Sequence, residues 1–119
     1  MNDYQQDNLQ IVITESHGTV VEVAWRGESD VCDPRESLGP YLAELTSQLE
    51  SRTVCVRFAE LKYMNSATVL PIMDFLKALS KTAAKVTVEY RRDLQWQVTS
   101  FRALRIVART WGNVSVMGV

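Results

Sequence analysis

Nucleophilic catalysis needs a serine or cysteine beside a base, and the one histidine, His17, stands next to Gly18 where a tight turn is expected. Nothing in the spacing brings Cys32 or Cys55 to it. Metal ligation fares no better, because the chain has no Cys-x-x-Cys pair and no histidine cluster. Asp30, Asp33 and Glu36 are close in sequence, but loop and helix-cap roles explain them. The five glycines are scattered and form no phosphate-cradling loop. The residues therefore predict no enzyme, no metal and no cofactor. Two other groups remain. Arg102, Arg105 and Arg109 share one helical stripe, which reads first as a solvated face and otherwise as a salt-sensitive docking stripe for an acidic partner or a nucleotide phosphate. The second group is Tyr63-Met64-Asn65-Ser66-Ala67-Thr68, ahead of a strongly apolar helix. A phosphate on Ser66 would meet unpaired N–H groups and the positive end of the helix dipole. A partly apolar collar of Tyr63, Met64, Ala67 and Val69 surrounds it. On local chemistry alone, a capping hydroxyl is the simpler role for Ser66.

The elements that position these residues follow from periodicity. Ile11–Thr14 and Thr19–Trp25 are β-branched runs that predict a hairpin through His17-Gly18, with Val21, Val23 and Trp25 on one face. Gly27 to Cys32 reads as a loop. Asp33-Pro34-Arg35-Glu36 has the form of a helix start, but Pro40 favours a start capped by Ser37, running to about Ser51. Val54-Val56-Phe58 predicts a central strand. The next helix carries Val69, Leu70, Ile72, Met73, Phe75, Leu76 and Leu79 and is expected to be deeply packed. Thr68 as its cap places Pro71 in the first turn, whereas Asn65 would set the proline too deep. A strand over Lys85–Tyr90, a helix over about Asp93–Thr110 with Trp96 as an anchor, and a strand over Asn113–Met117 complete the order ββαβαβαβ. That order predicts an α/β fold with a mixed sheet and right-handed crossovers.

At 119 residues, 46% hydrophobic and 23% charged, the chain suits one self-sufficient domain over residues 9–119 behind a frayed polar stretch at 1–8. A net charge of −1 gives no general attraction for nucleic acid or anionic lipid. No apolar run approaches the roughly 20 residues that span a bilayer. The N-terminus lacks a secretion signal, so a cytoplasmic protein with reduced, unpaired cysteines is expected.

Val23-Ala24-Trp25-Arg26-Gly27-Glu28-Ser29-Asp30 and Met64-Asn65-Ser66-Ala67, in this order of elements, resemble the STAS domain, the family of bacterial anti-sigma factor antagonists. The first segment looks like that family's second strand and its Gly-Glu-x-Asp turn. The second falls where the family has Asp-Ser-Ser-Gly, with Asn65, Ala67 and Thr68 departing from it. Tyr63 to Thr68, with Met73-Asp74 and Val88 to Arg92, looks closer to a STAS-like branch of biofilm-regulating phosphoproteins, in which the hydroxyl after the Asn is phosphorylated. The resemblance implies a non-enzymatic bacterial signalling module that binds partner proteins and is switched at Ser66, with Thr68 the rival hydroxyl. A serine kinase, a serine phosphatase and a regulated partner, either an anti-sigma kinase or a nucleotide cyclase, are the implied partners. A constitutive scaffold or sensor domain is the alternative.

Overall fold

The computed structural model describes residues 1–16 and 19–119, so the expected His17-Gly18 turn lies outside the described residues. The two runs flanking it pair as a β-hairpin, β2 (Leu9–Ser16) with β3 (Val20–Ser29), in antiparallel register with Ile11 opposite Trp25. Polarity alone gives no reason for the opening residues to pair, yet β1 (Tyr4–Gln6) adds to β2. Asp3 Oδ1 also accepts a hydrogen bond from the Ile13 amide at 2.8 Å, and Tyr41 packs on Tyr4. The chain then alternates through α1 (Pro34–Leu49), β4 (Thr53–Met64), a single 3₁₀ turn (Ser66–Thr68), α2 (Val69–Ser80), β5 (Lys85–Tyr90), α3 (Gln95–Ala108) and β6 (Val114–Gly118). One six-stranded sheet results, in the order β1-β2-β3-β4-β5-β6, parallel from β3 onward. This is the mixed α/β sheet expected, with β1 in addition.

Register puts Val21, Val54, Val86 and Val114 in one row across the sheet and Val23, Val56, Val88 and Val116 in the next. All eight are buried, and Leu38, Leu42, Leu45 and Leu49 of α1, Phe75, Leu76 and Leu79 of α2, and Phe101 and Leu104 of α3 join them in one core. Successive right-handed crossovers in one direction carry the three helices to that same face. An aromatic chain, Trp25–Phe58–Phe101–Tyr90, ties β3, β4, α3 and β5 at centroid distances of 5.3, 4.7 and 5.7 Å. The opposite face carries Ala24, Cys55, Arg57, Glu89 and Met117 without a covering helix. There Arg57 bridges Glu22 and Glu89 at 3.2 and 3.3 Å, and burial pushes the Cys55 thiol up. Cys32 and Cys55 are both free.

Three boundaries differ from expectation. Asp33, not Ser37, caps α1: its Oδ1 accepts from the Glu36 amide at 3.3 Å, and Pro34 is buried at the first helical position. Ser37 instead donates to the Pro34 carbonyl, and Pro40 sits inside the helix on its exposed side. An interior proline costs roughly 3 kcal/mol, and α1 carries Pro40 nonetheless, with its first turn fixed by the Asp33 cap and the buried Pro34. β3 runs on to Ser29 where a loop was expected, and β4 runs six residues past Phe58 to Met64. The turn from β1 to β2 makes this possible, because Gly27 has φ +86 and a Cβ there would lie 2.1 Å from the Asn8 carbonyl oxygen.

A titratable tyrosine helps hold the N-terminal arm. The Tyr41 hydroxyl donates to the Asn2 carbonyl at 2.7 Å. Burial, with Asp3 nearby, pushes its pKa from 10.0 up to about 12. The folded-state value is the higher one, so this contribution is whole below pH 10.0 and is lost as pH rises through about 12. In a tyrosinate absorbance titration, one of the four tyrosines should ionise late, and Tyr41→Phe should remove that step.

Candidate functional site

Ser66 owes its position to the way β4 ends. Across from β3, the two steps from Ala24 to Arg26 oppose three from Arg57 to Glu60, and the single step from Gly27 to Glu28 opposes two from Leu61 to Tyr63. β4 therefore takes in two extra residues, and its buried positions change from every second (Val54, Val56, Phe58) to every third (Leu61, Met64). The bulged stretch leaves the Phe58 and Leu61 carbonyls for Gln97, whose Nε2 donates to them at 2.7 and 3.0 Å. Gln97 Oε1 accepts from the Arg91 amide at 2.7 Å. Gln97 is fully buried, so this one amide ties the start of α3 to the central strand.

At the end of β4 the Asn65 amide donates to the Ser29 carbonyl at 2.8 Å, and Asn65 Nδ2 donates to the Val31 carbonyl at 2.8 Å. Asn65 Oδ1 accepts from both the Thr68 amide (3.1 Å) and the Thr68 hydroxyl (2.7 Å). With that proton committed, the Ser29 hydroxyl donates to Thr68 Oγ1 at 2.7 Å. Every polar atom of this buried cluster is thereby used. Asn65, not Thr68, is the side-chain cap: Thr68 has helical dihedrals and makes no capping bond. The expected objection to Asn65 fails because the turn after it is 3₁₀, so Pro71 still falls in the first turn of α2.

The collar divides sharply. Met64 and Thr68 are buried, Asn65 is half-buried and fully bonded, and Ala67 and Val69 are half-buried. Ser66 is exposed, and its hydroxyl makes no side-chain bond among the described residues. Tyr63 and Leu70 flank it with 49% and 54% of their surface in water. Leu70 was expected inside a deeply packed helix, but α2 buries only part of its apolar girth and leaves Leu70 in water. Met64, Val69, Ile72 and Met73 also line a small depression with Ser100, Phe101 and Leu104 of α3. Arg102, Arg105 and Arg109 are exposed and line none of it. Asp30 and Arg91 line different cavities, so no polar catalytic pocket is assembled from them.

No family model and no curated protein matches the sequence. The fold does have a solved counterpart: an anti-sigma factor antagonist from Mycobacterium paratuberculosis superposes with a TM-score of 0.62 over 90% of this chain and 85% of that one, at 15% identity. The chain has a STAS-like fold. Among the described residues no helix is long and apolar enough to cross a membrane.

Asn65→Asp keeps the acceptor toward Thr68 but turns a second oxygen on the Val31 carbonyl. It should destabilise the protein by about 1–3 kcal/mol in urea unfolding at pH 7. The loss should shrink as pH falls through the raised folded-state pKa of that carboxyl and be smallest below about pH 4, where it is protonated in both states and again donates.

Proposed function

We propose that this protein is a non-enzymatic regulatory module that binds partner proteins and is switched by phosphorylation of Ser66. The observation that carries this reading is the contrast between two hydroxyls: Ser66 is exposed at the head of the turn leading into α2, whereas Thr68 is 0% exposed and hydrogen-bonded to Ser29 and Asn65. A kinase reaches the first without unfolding anything. Reaching the second would mean breaking the buried cluster.

The likeness in fold to an anti-sigma factor antagonist supports the class of activity, and the exposed Tyr63 and Leu70 supply apolar area beside the hydroxyl. In this reading a serine kinase and a serine phosphatase act on Ser66, and the regulated partner is an anti-sigma kinase or a nucleotide cyclase. A phosphoserine carries about −1.5 to −2 charges, which cost several kcal/mol if buried in an interface without a cation. The same phosphate near the start of a helix is favoured by about 0.3–1 kcal/mol, so the module itself stays folded in both states. A constitutive scaffold reading draws on the exposed Arg102, Arg105 and Arg109. It requires partner binding that ignores Ser66 and is lost on Arg102→Glu with Arg105→Glu.

Protein isolated from its native cell should carry a single phosphate that peptide mapping assigns to Ser66, absent from Ser66→Ala and retained in Thr68→Val. Affinity for the partner should differ at least tenfold, about 1.4 kcal/mol, between unmodified and phosphorylated protein. Equal partner affinity for wild type, Ser66→Ala and Ser66→Asp would overturn the switch.

A further inference from the structure

Pairing between β4 and β5 ends at Arg57 opposite Glu89, and β5 stops at Tyr90 while β4 continues to Met64. The two strands part there, and the segment Arg91–Trp96 crosses the gap on its way into α3. Gln97 pins this segment to β4 without filling the space. A crevice of about 570 Å³ results, walled by Arg26, Leu61, Lys62, Arg91, Leu94 and Trp96, with Glu60 beside Arg26. The volume falls within the range of about 300–1,000 Å³ common to small-molecule sites. It lies toward the carboxyl ends of the parallel strands β3, β4 and β5.

The lining has a definite chemistry. Three of its charged side chains are cations and one is an acid, in a protein whose net charge is −1. Arg26 Nε lies 2.9 Å from Glu60 Oε2, but this solvent-shielded nitrogen makes no hydrogen bond there, because the N–H is not aimed at the carboxylate. Arg91 forks onto Asp93, which holds that carboxyl below its usual range. Lys62 is exposed and has no ion-pair partner among the described residues. Trp96 and Leu94 supply a flat apolar wall, and Trp96 also packs against the core. Cations alone would fit an inorganic ion; cations beside an indole fit an anion with a planar body.

We propose that this crevice binds a small organic anion, a single phosphate or carboxylate on a planar aromatic body, with the charged group held by Lys62 and Arg26 and the ring against Trp96. The site is built from elements other than the Ser66 turn and stands independently of the reading of Ser66.

The test is a titration of the full chain with phenyl phosphate and with benzoate, followed through the Trp96 indole signal and the backbone amides of Arg26, Lys62 and Arg91 by nitrogen–proton NMR. Inorganic phosphate serves as the ringless control and benzyl alcohol as the uncharged one. Saturable shifts confined to the crevice are expected for at least one aromatic anion, and the tighter of the two identifies the headgroup. Lys62→Gln, at an exposed position that leaves the fold alone, should weaken binding about tenfold. Ser66→Ala should leave it unchanged. Inorganic phosphate or benzyl alcohol binding as tightly as the aromatic anions, shifts centred outside the crevice, or no saturable shift at millimolar ligand would each overturn the site.

Discussion

The central strand is longer than either neighbour can match, and the rest of the molecule accommodates that. β4 pairs with β3 over its whole length only by taking in two extra residues, and with β5 only as far as Arg57. Each accommodation exposes backbone groups that must find partners away from the ladder. On one side Gln97 supplies them, fixing where α3 begins and leaving the crevice beside Lys62. At the far end, Asn65 does the equivalent work, and the chain turns toward α2 at the level of Ser29. The position of Ser66 is thus a consequence of strand length and bulging more than of its own side chain.

That arrangement separates stability from the exposed hydroxyl. Ser29, Asn65 and Thr68 are linked to one another and to the Val31 carbonyl, and removing Asn65 or Thr68 leaves a buried donor or acceptor unsatisfied at a cost of about 1–3 kcal/mol. Ser66 lies directly beside that set and contributes no side-chain bond to it. Charge can therefore be added to or removed from Ser66 with little effect on folding. A hydroxyl inside the network could not offer this, because its modification would register as unfolding before it registered as a change of surface.

The parallel order of elements and the alternating core of β3, β4 and β5 were legible because period-two burial of Val, Trp and Phe leaves a direct trace in the sequence. The second half of β4 was not, since a bulged strand buries Phe58, Leu61 and Met64 at a spacing of three, which no longer looks like a strand. The start of α1 was misplaced, whereas Thr68 does stand at the N-cap position of α2 and only the capping bond falls to Asn65. Pro40 and Pro71 were given more weight than the hydrogen bonds of Asp33 and Asn65, and the 3₁₀ turn that reconciles Asn65 with Pro71 has no distinct residue pattern. Local chemistry alone read Ser66 as a capping hydroxyl, a role the structure gives to Asn65, and only the resemblance to STAS domains singled Ser66 out as a switch. The crevice was not, because Arg26, Lys62 and Trp96 come from three separate segments that only the parting of β4 and β5 brings together.

The two faces of the sheet also differ in what they can receive. The face without helices carries apolar atoms of Ala24, Cys55 and Met117, but Arg57 lies across its centre in contact with both Glu22 and Glu89. Covering that face with a partner would desolvate three linked charges, and desolvation of such groups tends to exceed what their mutual attraction returns. The helical side has the opposite character around α2. Leu70 is exposed there, one turn before the surface pair of Arg35 with Asp74, and the depression lined by Val69, Met73 and Leu104 adds apolar area between α2 and α3. A charge placed on Ser66 would act at short range on any partner seated over Leu70 and that depression.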